Sequence, residues 1–154
     1  MAARFRAAID GGSRGNPGKA AWGVALLDDD GACREGYAGV LGHATNNVAE
    51  YNGLLHALRI AREREARRVQ LFADSELIVK QILGHYRVRH PDLKPLHAEA
   101  MRLIAGFDSF AISHVRRDKN KEADRLVNVA LDRFDADSGN TEIRVHEVNG
   151  AAIG

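Results

Sequence analysis

The sequence predicts an α/β fold in which a mixed five-stranded sheet carries helices on both faces, with the element order βββαβααβα. Apolar residues near the N-terminus recur with the period of two that is typical of strands. After residue 46 the period changes to three and four, as in an amphipathic helix. Short apolar runs then alternate with helical segments, and strands separated by helices are expected to lie parallel in one sheet.

Length and composition limit the class of protein before any motif is considered. The chain has 154 residues, 45% hydrophobic and 28% charged, which suits one domain with an ordinary core. The single cysteine, Cys33, excludes an internal disulfide and is expected to be a small apolar strand residue. A formal charge of +1 neither demands nor excludes a nucleic-acid partner. Without a long apolar run or a visible signal peptide, we expect a cytoplasmic monomer with no membrane contact.

The first three elements are predicted to be strands that form an antiparallel meander. Residues 4–10 place Phe5, Ala7 and Ile9 on one face of a strand. The sequence GGSRGNPGKA, residues 11–20, is rich in glycine and contains a proline, and it is therefore predicted to be a loop. Residues 22–27 and 34–41 are predicted strands, joined by the turn-forming sequence DDDGA.

Helices and strands are predicted to alternate over the rest of the chain. A helix begins at Asn46, since Asn46 and Asn47 are residue types that cap helix N-termini. Its apolar face comprises Tyr51, Leu54, Leu55, Leu58 and Ala61. A buried strand over 69–74, helices over 75–83 and 92–106, a strand over 110–115 and a helix over 120–134 complete a domain of residues 1–134. In the tail, residues 135–154, the alternation of Ile143 and Val145 predicts a short extra strand.

Four acidic residues stand where this topology brings chain segments together. Asp10 closes the first strand and Asp74 closes the fourth, and sites in open α/β sheets gather at the carboxyl ends of strands. Glu50 lies near the start of one helix and Asp124 near the start of the last one. Clustered carboxylates repel one another, and a divalent cation relieves that repulsion. Oxygen ligands alone favour Mg²⁺ or Mn²⁺, and two such ions suit hydrolysis of a phosphodiester.

Three other sequence features suggest kinds of site other than a carboxylate metal site. GGSRG matches the G-x-S-x-G nucleophile motif around Ser13, but that motif needs a strand–turn–helix, and a strand is predicted after this loop. Gly18-Lys19 resembles part of a phosphate-binding P-loop, but Ala20 replaces the hydroxyl residue that the motif requires. The seven histidines show no pair at zinc-enzyme spacing on one helix face, and they are expected to be surface or packing residues.

Four sequence blocks resemble the signature blocks of the type 1 ribonuclease H family. They are IDGGSRGNPGKAAWG, TNNVAEYNGLLHAL, LFADSELIVKQILG and NKEADRLVNVAL, and the resemblance covers about residues 4–134. It implies a ribonuclease H-like fold and cleavage of the RNA strand of RNA–DNA hybrids with two Mg²⁺ or Mn²⁺ ions, giving 5′-phosphate products. The segment 83–95 is too short for the basic protrusion of many bacterial relatives, and the loop 116–123 holds no histidine. Both departures resemble the compact archaeal and actinobacterial branch.

The resemblance also implies roles for individual residues. The family's metal-binding carboxylates fall on Asp10, Glu50, Asp74 and Asp124. Its contacts to the RNA backbone and 2′-hydroxyls fall on Gly11, Gly12, Ser13, Asn16, Asn46 and Asn47. Helix capping remains an alternative role for the two asparagines of the helix. An RNA–RNA duplex is a second candidate substrate, and a non-catalytic module that binds hybrids or duplexes is the alternative function.

Arg117 is predicted to act in catalysis because it lies seven residues before Asp124, in the loop where relatives place a catalytic histidine. Arginine does not exchange protons near neutral pH, but it can donate two hydrogen bonds to phosphate oxygens and stabilise developing charge. Arg116 is the competing candidate, and an extended chain would point these two side chains to opposite faces. A solvated loop arginine is the alternative interpretation.

Overall fold

The computed structural model describes residues 4–136 and 142–153, and it confirms the predicted α/β fold class. The chain order of its elements is β1 (Arg4–Gly15), β2 (Gly18–Leu27), β3 (Cys33–Ala44), α1 (Asn46–Glu63), β4 (Arg68–Ala73), α2 (Glu76–Ile82), α3 (Lys94–Ile104), β5 (Ser109–His114), α4 (Lys121–Ala136), β6 (Arg144–Val148) and β7 (Ala151–Ala152). A 3₁₀ turn, Arg117–Lys119, precedes α4. None of the described helices is both long and apolar enough to cross a membrane.

The sheet is mixed, with the strand order β5-β4-β1-β2-β3-β6-β7. β1, β2 and β3 form the predicted antiparallel meander, while β4 pairs parallel with both β1 and β5. The five predicted strands are all present, and the two additional ones come from the C-terminal tail. The parallel pairing of β1 with β4 places the middle of β1, at Ile9, beside the carboxyl end of β4. The prediction that the first strand ends at Asp10 was wrong, because pairing with β2 extends β1 to Gly15.

Helices cover both faces of the sheet, as predicted. Phe5, Ala7 and Ile9 of β1 face a core that includes residues of α1, α2 and α3. Ala8, on the opposite face of the same strand, belongs to a second core built mainly from small strand residues and the apolar face of α4. Because alternate residues of a strand point to opposite faces, the single strand β1 contributes to both cores.

The prediction of a loop over residues 11–20 was wrong. β1 continues to Gly15 and β2 begins at Gly18, so this segment forms a hairpin with a tight turn at Asn16 and Pro17. Its glycines lower the strand propensity of the segment, but antiparallel pairing along the whole hairpin outweighs that local preference.

The N-cap of α1 is Thr45, which corrects the expectation that Asn46 and Asn47 cap this helix. The Thr45 hydroxyl accepts a hydrogen bond from the backbone N–H of Val48 at 3.2 Å. Asn46 and Asn47 are instead the first two residues of the helix. Neither asparagine is needed as the cap, so both side chains are available for other contacts.

The extra strand predicted in the tail is present as β6, which pairs antiparallel with β3. Ile143 and Val145, whose alternation predicted it, are both buried in the α4-side core. Arg125 of α4 also donates to Glu147 of β6 at 2.7 Å. Side-chain burial and ion pairing therefore attach the tail strand to the rest of the fold.

Glu35 is the centre of a polar cluster that joins β3, β6 and the end of α1. Its Oε1 accepts hydrogen bonds from Tyr37 and Arg64, both at 2.8 Å, and lies 2.7 Å from His146 Nε2. Partial burial acts to raise the pKa of Glu35, but these partners outweigh burial and lower the pKa to about 2. The ionised carboxylate therefore stabilises the folded state.

We expect Glu35→Gln to lower the free energy of unfolding at pH 7 by roughly 1–3 kcal/mol, the usual scale for hydrogen bonds to a charged group. Because the pKa of Glu35 is lower in the folded state, its contribution is present above pH 4.5 and is lost as the pH falls toward 2. Urea unfolding at several pH values measures the difference between variant and wild type, which should shrink in acid. Glu63→Gln, at an exposed glutamate of α1, is the control, and equal stability of both variants at pH 7 would contradict the expectation.

Candidate active site

Two of the four predicted carboxylates lie side by side at the edge of the sheet. Ile9 of β1 is paired with Ala73, the last residue of β4, so Asp10 within β1 lies next to Asp74, the first residue after β4. Asp10 is only 9% exposed, whereas Asp74 is half-buried. The sequence pattern predicted that these two residues would be neighbours, and their proximity depends on the parallel pairing of strand residues that lie 64 positions apart in the chain.

Helix α1 brings Glu50 to the same edge because its backbone packs directly on β1. A Cβ atom on Gly11 would lie 2.2 Å from the carbonyl group of Ala49, and one on Gly53 would lie 2.5 Å from the Asp10 carbonyl oxygen. Only glycine permits so close an approach. Gly11 is thus buried between the backbones of β1 and α1, where a residue with a side chain would not fit.

Asp10 is the electrostatic centre of the four carboxylates. Burial makes the largest contribution to its pKa, and the charge of Asp74 makes the next. The charges of Asp124 and Glu50 raise the pKa of Asp10 further. A hydrogen bond with the backbone of Gly11 acts to lower this pKa, but the net result is a pKa of about 8. The charges of the other three predicted carboxylates therefore all act on Asp10, although the four residues come from β1, the residue after β4 and two helices.

The donor chemistry of this cluster fits a hard divalent cation. One carboxylate oxygen of Glu50, Oε2, is buried without a hydrogen-bond partner, and burial followed by the charge of Asp74 raises the pKa of Glu50. Within residues 4–136 and 142–153, no three His, Cys, Asp or Glu side chains are already grouped to hold a metal ion. Because carboxylates repel one another, side-chain rotation on binding is expected, and the unpaired Glu50 oxygen is available as a ligand.

Three predicted substrate-contact residues form one hydrogen-bonded group beside the carboxylates. Asn46 Oδ1 accepts a hydrogen bond from the Ser13 backbone N–H at 2.8 Å and lies 3.0 Å from the Ser13 hydroxyl. Asn16 Oδ1 accepts from the backbone N–H of Asn46 at 3.1 Å. The hairpin of β1 and β2 is thereby fixed against the start of α1.

Ser13 has no catalytic partner in this arrangement. Its hydroxyl contacts Asn46 Oδ1 and the Gly15 carbonyl oxygen, and no histidine contact of Ser13 occurs in the described part of the chain. The segment that follows is a strand rather than a helix. These features do not support the nucleophile motif.

Asn47, Asn16 and Gly12 lie on the accessible side of this region. Asn16 and Asn47 line one groove together with His90 of the α2–α3 connection. Gly12 is half-buried on the side of α4, where a Cβ atom would come no closer than 3.8 Å to Val127. The structure therefore gathers the predicted contact residues around the hairpin and the α1 N-terminus.

Arg116 and Arg117 are both exposed, and they differ in their electrostatic neighbours. The charge of Arg117 acts to lower the pKa of Glu50 against the stronger effect of burial. The Arg116 side chain is 85% exposed, and its Nε lies 3.6 Å from Asp118. Arg116 immediately precedes the 3₁₀ turn that Arg117 begins, and the catalytic role of Arg117 stays a prediction.

Two further residues at the site were missed from sequence. Ser75 caps α2 by accepting from the Ile78 N–H at 3.2 Å, and a hydrogen bond between Ser75 and Glu50 acts to lower the pKa of Glu50. His114 Nε2 lies 3.2 Å from the Asp74 carbonyl oxygen. Because a carbonyl oxygen can only accept, Nε2 is protonated and donates this hydrogen bond. Ser75 carried a signal, since it directly follows Asp74, but the position of His114 depends on the pairing of β4 with β5.

Comparisons with known proteins agree with this fold. The model of the family described as "Reverse transcriptase-like" matches residues 8–130. The chain is 43% identical over 129 residues to ribonuclease HI of Halobacterium salinarum, covering 84% of this chain. It spans 65% of the length of that relative and 34% of a bifunctional protein from Mycobacterium tuberculosis, to which it is 42% identical.

Two solved structures are similar over nearly their whole length. The N-terminal ribonuclease H domain of the M. tuberculosis protein aligns with a TM-score of 0.82 and 37% identity, covering 88% of this chain and 99% of that one. A ribonuclease H1 isolated from compost, solved in complex with an RNA/DNA hybrid, aligns with a TM-score of 0.79 and 36% identity. This second alignment covers 84% of this chain and 97% of the compost enzyme.

The strand order, the position of α4 opposite the other helices, and the carboxylates at the sheet edge define a ribonuclease H-like α/β protein. Together with the family match over residues 8–130, they place the chain within that class. The chain belongs to the type 1 ribonuclease H family.

Proposed function

We propose that this protein is an endonuclease that hydrolyses the RNA strand of RNA–DNA hybrids and leaves 5′-phosphate ends. The observation that carries the proposal is the interaction of four carboxylates around Asp10 at the carboxyl edge of the sheet. Mutual repulsion between carboxylates around the buried Asp10 destabilises the apo protein, and a cation-dependent reaction gives this arrangement a purpose. Membership of the ribonuclease H family supports this choice of substrate.

Asp10, Glu50, Asp74 and Asp124 would hold the metal, Mg²⁺ or Mn²⁺. When bound, two such ions supply an activated water and stabilise charge on the leaving oxygen of a phosphodiester. Asp10 must release its proton before it can act as a ligand. Since burial and the neighbouring carboxylates raise its pKa to about 8, cation binding should release a proton and strengthen with increasing pH.

The chain's other residues would bind and orient the hybrid. Arg117, close enough to influence Glu50, would donate hydrogen bonds to the phosphate at the cleaved bond. Ser13, Asn16, Asn46, Asn47 and the glycines of the hairpin would contact the RNA backbone. Contacts to 2′-hydroxyls in the minor groove would distinguish RNA from DNA, because DNA lacks that group.

Asn47→Ala is expected to weaken the discrimination between RNA and DNA strands by more than it weakens overall affinity. Groove contacts specify, whereas phosphate contacts mainly position the duplex. Asn46→Ala should have the same effect with an added loss of stability, since its side chain also binds the Ser13 N–H at 2.8 Å. Cleavage and binding of matched hybrid and DNA duplexes measure this discrimination.

Thr45→Ala is the matched control because it removes the cap of α1 and leaves both asparagines in place. It should cost about 1 kcal/mol of stability without changing discrimination. If the asparagine variants behave like Thr45→Ala, with lower stability and unchanged kinetics, groove contact is not their role.

One experiment separates the proposed activity from its alternatives. The protein is incubated with hybrid, RNA–RNA and DNA–DNA duplexes of one sequence, with Mg²⁺, Mn²⁺ or EDTA, beside Ser13→Ala. We expect cleavage of the RNA strand of the hybrid in either metal and none in EDTA. Activity in EDTA would overturn the metal-dependent proposal, and loss of that metal-independent activity in Ser13→Ala would favour a serine nucleophile. Binding without cleavage would favour the non-catalytic module, although clustered carboxylates facing phosphates weaken binding.

A further inference from the structure

Asn120, which immediately precedes α4, is buried beside the candidate active site. The residue is only 1% exposed. The side-chain Nδ2 donates a hydrogen bond to the backbone carbonyl of Ile9 at 2.9 Å. Ile9 is the residue before Asp10, so this bond fixes the backbone of β1 directly beside the buried carboxylate.

The backbone of Asn120 contacts two other segments of the site. Its carbonyl oxygen accepts from the N–H of Asp124 at 3.1 Å, which sets the first turn of α4. Its own N–H donates to the carbonyl of Arg117 at 3.0 Å. One residue thus connects the chain segments that carry Asp10, Asp124 and Arg117.

The orientation of the amide argues against a role in helix capping. An asparagine at this position commonly accepts a hydrogen bond from the first turn of its own helix. Here the carbonyl of Ile9 can only accept, so the amide nitrogen must face β1. The side-chain oxygen, Oδ1, is left buried without a partner. An unpartnered buried polar atom is unfavourable for stability, so this geometry is better explained by what it holds in place.

We infer that Asn120 is a positioning residue, which holds Asp124 and Arg117 in a fixed relation to Asp10 through its bond to Ile9. The inference rests on the proposed function, because it assigns Asn120 to that same metal and phosphate site. Asn120 itself does not touch substrate or metal in this role. Groups that orient metal ligands commonly change metal affinity or activity by about 10–100-fold when removed.

The test uses the full chain with two substitutions, Asn120→Leu and Asn120→Ser. Leucine has a similar size and removes both the bond and the unpartnered oxygen, and serine is a smaller polar replacement. Leu131→Ala is the control, since it creates a cavity in the buried face of α4 without touching Ile9. Calorimetric titration with Mn²⁺ alone, urea unfolding, and the separate kcat and KM values for hybrid cleavage are measured for each protein.

We expect both Asn120 variants to bind Mn²⁺ about tenfold more weakly and to lose at least about tenfold in kcat, with little change in KM. Leu131→Ala should lose stability while keeping its Mn²⁺ affinity and kcat. Unchanged Mn²⁺ affinity and kcat in either folded Asn120 variant would overturn the inference. If neither variant folds while Leu131→Ala does, Asn120 is a residue of general stability and the inference is also overturned. Failure of the proposed function is distinguishable, because the wild type itself would then not cleave the hybrid.

Discussion

Replacing Asp10 or Asp74 with asparagine is expected to abolish cleavage of the hybrid and to leave hybrid binding largely intact. Each substitution removes one ligand charge without changing side-chain size, so the fold should survive. Asp10 within β1 lies next to Asp74, the first residue after β4, and Asp74 is the carboxylate with the largest effect on the pKa of Asp10. Single-turnover cleavage and an independent binding assay measure the two effects.

Asp108→Asn provides the control, because Asp108 is an exposed aspartate whose ion pair, with Arg67 at 3.5 Å, lies outside the carboxylate cluster. It should cleave like the wild type. More than about a tenth of the wild-type rate in Asp10→Asn or Asp74→Asn would place the reaction elsewhere, since a tenfold loss corresponds to only about 1.4 kcal/mol of barrier.

The same Asp10→Asn variant should be more stable than the wild type in EDTA, and increasingly so as the pH rises. Burial and the neighbouring carboxylates raise the pKa of Asp10 from 3.8 to about 8 in the folded protein. Its contribution to stability is therefore full below about pH 4 and is lost as the pH rises through about 8. Denaturant unfolding between pH 5 and 9 measures the difference, and a variant that is less stable throughout would contradict it.

Arg117→Ala is expected to lower kcat by roughly 10²-fold, the typical scale for loss of one transition-state hydrogen-bond donor. The charge of Arg117 acts on Glu50, one of the proposed metal ligands, and on this basis we propose that its guanidinium reaches the bound phosphate. Arg117→Lys should recover only part of the rate, because a lysine ammonium lacks the planar pair of donors. Steady-state kinetics on the hybrid separate kcat from KM.

Arg116→Ala is the matched control for that experiment. Arg116 is the preceding residue of the chain, its side chain points into solvent, and it pairs with Asp118. We expect its kcat to match the wild type. The assignment of Arg117 would be wrong if Arg117→Ala kept its turnover. It would also fail if the pH–rate profile had a limb near pH 6.5 that disappears in His114→Ala, since His114 contacts the Asp74 carbonyl.

Much of the fold and the acidic cluster could be predicted from local patterns. Alternation in β1 and the three-and-four period of α1 report which side chains are buried, and burial is what stabilises each element. Asp10 and Asp74 were identifiable because each ends an apolar run of the sequence, where no packing reason favours a carboxylate, although Asp10 lies within β1 rather than at its end. The glycine-rich hairpin was missed because its strands are formed by pairing with each other rather than by residue propensity.

By itself, the sequence determined the order of strands and helices, the faces that they bury, and the four carboxylates that could form a metal site. These follow from local periodicity and from the residue types at strand and helix ends. Only the tertiary structure decided that α1 approaches β1 closely enough to bring Glu50 to Asp10, and that Asn120 binds the Ile9 carbonyl. Such contacts join residues about 40 to 111 positions apart, and their geometry depends on how whole elements pack, which no local pattern records.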